Sequence, residues 1–155
     1  MIVLAPFLLA FLVTDIIRLK NTRLNTKFIG MFSAFMREYE KRQLNASTYF
    51  LISSFISILL FPKGIAVVVL CFLTFGDTMA SLIGGLFGRI TIFNKTLEGS
   101  LACFVTCFVV AFFFFDAHVA VVGALVATLT ELLPLKISDN LLIPIISGLS
   151  MMVIA

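Results

Sequence analysis

The residues that could do chemistry in this chain are concentrated between Gly76 and Ser100, GDTMASLIGGLFGRITIFNKTLEGS, which holds five of the nine glycines. Asp77 follows directly on the apolar run IAVVVLCFLTF, and the stretch closes on Lys95, Thr96, Glu98 and Gly99 where a new apolar segment starts. A helix N-terminus presents unpaired backbone N–H groups and a partial positive charge, and so forms a ready phosphate site. A lysine adds a point charge for phosphate oxygens, and a carboxylate such as Asp77 can hold the Mg²⁺ that accompanies them. These residue types point to a nucleotide. A Walker A loop and the protein-kinase motifs are both missing, so neither of those modes is expected.

Asp77, Ala80, Gly84 and Gly88 are spaced by three, four and four residues, which on a continuous helix confines them to an arc of roughly 80°. Such a bare stripe has two readings, a wall that lets a ligand approach the backbone or a small-residue seam for close helix packing. The other acids lie toward the same side. Glu131 precedes Leu132, Leu133 and Pro134 at the end of an apolar segment, and Asp139 opens the next one. Glu98 in a first helical turn also gains from the helix dipole, and Asp139 has the character of an N-cap. Asp116 and His118 read as a polar turn on the opposite face, with Phe112 to Phe115 as packing or lipid-facing residues.

What must position these groups is set by composition. The 155 residues are 61% hydrophobic and 12% charged, where soluble domains run near 45–50% and about 25%. The expectation is an all-α, polytopic membrane helix bundle forming a single integral membrane domain. Six apolar segments, 1–17, 47–61, 65–83, 99–115, 117–133 and 140–155, read as about six transmembrane helices, several of them short of the roughly 20 residues a full crossing needs. Residues 18–46 hold seven of the eleven basic residues, so this loop is assigned to the cytoplasm by the positive-inside rule. Counting crossings onward adds Arg89, Lys95 and Lys136 to that side and leaves Lys63 alone on the other. The candidate site residues then gather on the cytoplasmic face. Within the loop, Phe28, Ile29, Phe32, Phe35, Met36 and Tyr39 recur at helical spacing, with Arg37, Glu38, Lys41 and Arg42 on the remaining faces, which predicts one interfacial amphipathic helix. Asp77 is the thirteenth of nineteen residues in its segment, roughly 9 Å below the cytoplasmic end. An acid at that depth marks a site or faces the bundle interior. Cys71, Cys103 and Cys107 lie inside apolar runs and read as packing residues, with no disulfide or zinc site.

The spacing D-x-x-A-x-x-x-G-x-x-x-G from Asp77 to Gly88, followed by K-T-x-E-G from Lys95 to Gly99, resembles the motif of the CTP-dependent lipid kinases, which include dolichol kinase, phytol kinase and the yeast-type diacylglycerol kinase. MREYEKRQLNASTYFLIS, residues 36–53, and ATLTELLPLKISDNLLIPIISGL, residues 127–149, are similar to further stretches of that family. The resemblance implies transfer of the γ-phosphate of CTP to the hydroxyl of a membrane lipid alcohol, with Mg²⁺. It implies catalytic roles for Asp77, Lys95 and Glu131 and nucleotide contacts from Gly84, Gly88, Lys95, Thr96, Glu98 and Gly99. Asp77 and Asp139 are the implied metal ligands, while Glu131 or Asp139 is left to bind a second metal or accept the lipid proton. The expected partners are the lipid alcohol and the nucleotide, and no nucleic acid.

Family members usually begin with a further segment carrying an Arg-Lys pair and a nearby histidine. Nothing like it precedes residue 18, so an N-terminally shortened member is expected. Two rival readings are a phosphatidate cytidylyltransferase-like enzyme, whose closing signature around a Pro-Gly pair is missing, and a small transporter or channel using Asp77 and Glu131 as an ion relay.

Overall fold

The computed structural model describes residues 3–32, 43–134 and 137–155. The described chain is helical apart from two strands of two residues each, in agreement with the all-α expectation. It divides into two compact units at Phe55 and Ile56.

The first unit contains α1 (Leu4–Lys20), α2 (Thr22–Phe32) and the opening of α3 (Ala46–Leu60). Asn21 both ends α1 and starts α2. Its backbone is extended, at φ −113° and ψ 104°, while its side-chain Oδ1 accepts the N–H groups of Arg23 at 3.1 Å and Leu24 at 3.3 Å. That is what an N-cap asparagine does for the otherwise unpaired first amides of a helix. The expected interfacial helix overlaps α2 at Phe28, Ile29 and Phe32, but α2 begins six residues earlier than Phe28. The rest of that expectation, at Phe35, Met36, Arg37, Glu38, Tyr39, Lys41 and Arg42, lies outside the described residues, as does Lys136.

The second unit is built on one long helix, Lys63–Phe87. It comprises α4 (Lys63–Cys71), a π turn (Phe72–Gly76) and α5 (Asp77–Phe87). Strands β1 (Thr91–Ile92) and β2 (Lys95–Thr96) form an antiparallel hairpin, followed by α6 (Leu97–Phe112), α7 (Ala117–Leu132) and α8 (Asp139–Ile154). On α6 and α7 the smaller side chains face inward and large apolar ones outward. Along α6, Ser100, Cys103, Cys107 and Ala111 are buried while Leu97, Leu101, Val105 and Val109 are exposed. Along α7, Ala120, Ala124, Ala127 and Glu131 are buried while Val121, Leu125 and Leu129 are exposed. Small side chains inside let the backbones approach closely. A Cβ on Gly123 would stand 2.7 Å from Met151 Sδ, and one on Gly148 would strike the Phe61 ring. Larger groups, Phe72, Ile143 and Met151, fill the remaining space and are fully buried.

Two expectations change here. The helix bearing Asp77 runs to Phe87 rather than ending at residue 83, so Asp77 lies about 15 Å from its end, at 1.5 Å per residue, rather than about 9 Å. The stripe of small residues also stops at Gly84, because Gly88 is extended, at φ −62° and ψ 122°, and caps α5 instead of continuing it. Among the described residues, Lys63–Phe87 is the helix long and apolar enough to cross a membrane, with a mean hydropathy of 2.0. The helices Ala46–Leu60, Leu97–Phe112, Ala117–Leu132 and Asp139–Ile154 coincide with expected segments and are apolar but shorter. A helix of 16 residues spans about 24 Å, against a hydrocarbon core of about 30 Å.

Candidate active site

Local structure between α5 and α6 explains how Lys95 is placed. After Gly88 the chain turns back through the hairpin, pairing Thr91 with Thr96 and Ile92 with Lys95. Phe93 at the turn has a positive φ of 54°, a conformation disfavoured for a bulky side chain. Thr96 then caps α6. Its backbone is extended and its Oγ1 accepts the Gly99 N–H at 3.2 Å. Two further bonds tie the link to the helix start. Leu97 N–H reaches Ile90 O at 2.9 Å, and Ile90 N–H lies 3.3 Å from both oxygens of Glu98. Its own backbone N–H first, and then those of Arg89 and Ile90, hold the Glu98 carboxyl below the usual carboxylate range.

The hairpin delivers Lys95 to two acids far away in sequence. Lys95 Nζ donates to Glu131 Oε1 at 2.6 Å and to Asp139 Oδ2 at 3.2 Å. Glu131 comes from the last turn of α7, and Asp139 from the first residue of α8. The Glu131 side chain is 3% exposed, and its Oε2 is buried without a hydrogen-bond partner among the described residues. Burial alone would lower the Lys95 ammonium, but the Glu131 hydrogen bond and the charges of Asp139 and Glu131 outweigh it and hold the group above its ordinary value. One cation therefore faces two anions. Ser138, not Asp139, occupies the N-cap position of α8, and Asp139 Oδ1 accepts the Asn140 N–H at 3.1 Å.

The remaining candidates fall into two groups. Gly84, Thr96 and Gly99 meet at the contact of α5 with α6, where a Cβ on Gly84 would lie 2.6 Å from Thr96 Oγ1 and one on Gly99 would lie 2.6 Å from Ala80 O. A Cβ on Gly88 would strike Gly84 O and the Thr96 side chain. All three bare positions are thus occupied by neighbouring protein atoms, whereas Gly85 has open space around it. Asp77 opens α5 immediately after the π turn, half-buried and with Oδ1 shielded from solvent. Among the described residues no three or more His, Cys, Asp or Glu side chains gather as a metal site. Cys103 and Cys107 are buried free thiols 4.0 Å apart, as packing residues should be.

A second charged cluster, in the first unit, was not anticipated. Asp15 Oδ1 lies 3.2 Å from Arg18 Nη2, while Oδ2 accepts Asn45 N–H at 2.8 Å and Thr48 Oγ1 at 2.6 Å. Arg18 also donates to Gln43 O at 2.8 Å and stands 4.8 Å over the Phe28 ring. The available signal was an acid near the end of the first apolar segment and a base three residues on, a spacing that puts both on one helix face.

Fold and site together define an all-α protein with large apolar side chains on outer helix faces and a partly buried cluster of one lysine and two acids. Compared with known proteins, the chain is 30% identical to the CTP-dependent diacylglycerol kinase 1 of Eremothecium gossypii over 94% of its own length and 56% of that protein. It is 29% identical to the Saccharomyces cerevisiae protein of the same name over 96% of its length and 63% of that protein. With the Schizosaccharomyces pombe protein of that name it shares 34% identity over 59% of the chain and 43% of the relative. These matches support the CTP-dependent lipid kinase family, the one that the motif from Asp77 to Gly99 resembles. The chain spans less than two thirds of the length of each of these relatives. No family model and no solved structure matches it.

Proposed function

We propose that the protein is an integral membrane, CTP-dependent kinase that phosphorylates the hydroxyl of a lipid alcohol, with its site on the cytoplasmic side. Diacylglycerol is the first acceptor to try, because the relatives are named for it. The observation that carries the reading is the Lys95, Glu131 and Asp139 cluster within a bundle whose outward side chains are Leu, Val and Phe. Charge of this kind suits phosphoryl transfer, where catalysis is mostly positioning and electrostatic stabilisation. Apolar outer faces on α6 and α7 favour burial in lipid over exposure to water.

In this reading the lipid oxygen forms a bond to the γ-phosphorus as the β,γ-anhydride bond breaks. CDP leaves, and the hydroxyl proton passes to a carboxylate, for which Glu131 is our choice. Lys95 neutralises charge on the transferred group, and the start of α6 adds its positive dipole end. Mg²⁺, when bound, supplies charge neutralisation on the nucleotide, with Asp77 as its carboxylate. The Asp77 carboxylate is the hard oxygen donor that such a cation takes, and its Oδ1 is shielded from solvent. The test is transfer from labelled CTP to diacylglycerol, dolichol and phytol by the purified chain, with product mass as the readout. A phospholipid monoester plus CDP supports the kinase, and a CDP-lipid plus pyrophosphate would replace it with a cytidylyltransferase.

A further inference from the structure

We propose that Ser100, in the first turns of α6, is the residue that seats the acceptor's hydroxyl oxygen against Glu131 Oε2. In a helix among apolar neighbours a serine or threonine hydroxyl commonly donates to the carbonyl four residues back. Thr106 on α6 and Thr130 on α7 do so, at 2.8 and 2.7 Å. Ser100 on α6 and Thr128 on α7 do not. Their oxygens are shielded from solvent and make no hydrogen bond among the described residues, although buried polar atoms are nearly always paired. Ser100 is only 5% exposed, so bulk water does not serve it either.

Helix register places this serine beside Glu131. The short turn between α6 and α7 makes them antiparallel neighbours. Thr128 stands against Cys103, and the Glu131 charge reaches the same thiol. One turn from Cys103 toward the start of α6 is Ser100, and one turn from Thr128 toward the end of α7 is Glu131, so antiparallel packing sets Ser100 and Glu131 at one level. The two oxygens of Glu131 are divided. Oε1 accepts from Lys95 Nζ at 2.6 Å, on the side where Lys95 is 27% exposed, whereas Oε2 accepts nothing among the described residues. An alcohol bridges Ser100 and Oε2 with the right polarity, because it donates its one proton to the carboxylate, accepts from the serine, and keeps a second lone pair for phosphorus. Its apolar chains find a surface close by, since Leu97, Leu101 and Leu129 are exposed on the outer faces of the same helices. This inference rests on the kinase reading for the identity of the acceptor and on the unpartnered oxygens for its position.

Binding of dioctanoylglycerol to the purified full chain in detergent, without CTP, tests it against the dioctanoyl ester of propylene glycol, which lacks the hydroxyl. The parent chain should bind the alcohol more tightly, and Ser100→Ala should cut that preference by roughly five- to tenfold, the effect of one lost hydrogen bond. Because Ser100→Ala removes a buried hydroxyl that has no partner, its unfolding midpoint should hold or rise. Ser100→Thr, which keeps the hydroxyl, should retain the preference. In turnover with CTP, Ser100→Ala should raise the acceptor KM and leave the CTP KM unchanged, a split that a merely structural serine would not give. A preference undiminished in Ser100→Ala, or a KM rise shared equally by both substrates, overturns the proposal. Transfer from CTP with no effect of Ser100→Ala would sink the Ser100 seat alone, and a preference lost in Ser100→Ala without any transfer by the parent chain would sink the kinase reading alone.

Discussion

Among the described residues, two charged clusters stand out, one in each unit, and they are built differently. In the first, every oxygen of the Asp15 carboxylate has a partner, Oδ1 with Arg18 and Oδ2 with Asn45 and Thr48. Arg18 reaches Gln43 and covers Phe28 as well, and both charged residues are nearly inaccessible. In the second, one lysine serves two acids, remains partly open to solvent, and leaves a Glu131 oxygen unpartnered. The first is a closed fastener. It ties α1 to the start of α3, because Asp15 covers the Asn45 amide that an ordinary N-cap would have to satisfy. The second is looser, with its cation partly open to solvent.

The sharpest break of this contrast is Asp15→Ala, which removes the buried carboxylate beside Arg18 together with the acceptor of the Asn45 N–H and the Thr48 hydroxyl and should destabilise the chain by about 3–5 kcal/mol, read as a lowered unfolding midpoint in detergent. A similar loss of stability from Lys95→Ala, without a larger effect on transfer, would mean that both clusters are fasteners. The expectation for Lys95→Ala is instead a fall in CTP-dependent transfer of about 100-fold with a far smaller shift in the midpoint. Asp77→Asn should lose transfer in the same assay.

A smaller effect separates the glycines. Gly84→Ala drives a Cβ to within 2.6 Å of Thr96 Oγ1 and should destabilise by about 1–3 kcal/mol through overpacking. Gly85→Ala, one residue on, meets nothing within 4 Å and gains helix propensity of about 1 kcal/mol, so it should be neutral or stabilising. If Gly84→Ala kept full stability and lost only nucleotide binding, the ligand-wall reading of the stripe would be restored over the packing one.

How much of this was legible depends on which signals hydropathy carries. The apolar runs located the apolar helices within a few residues, the first interrupted at Asn21, the second at Pro62 and the third at Gly88. Lys95, Glu131 and Asp139 were legible as candidates because charge in an apolar chain is conspicuous. Their meeting was not, because it depends on a hairpin of two-residue strands turning at Phe93, a residue type that gives no turn signal. The π turn ahead of Asp77 was equally hidden, as one widened turn leaves no mark on residue composition. Asp15 was missed for a different reason. Its partners Asn45 and Thr48 are some thirty residues away, and only the local Arg18 could have been read from spacing.

The smallest effect expected concerns Glu98, whose carboxyl is held below its usual range by backbone amides. A depressed folded-state value means that its contribution is present above the unfolded carboxyl value of 4.5 and is lost as pH falls through the lowered one. Acidification should therefore loosen the link between α5 and α6 first, seen as faster exchange of the Ile90 amide that Glu98 accepts. In Glu98→Gln that acid-induced step should vanish while the Lys95 cluster stays intact. Were the step to persist in Glu98→Gln, the local latch at the start of α6 would be excluded.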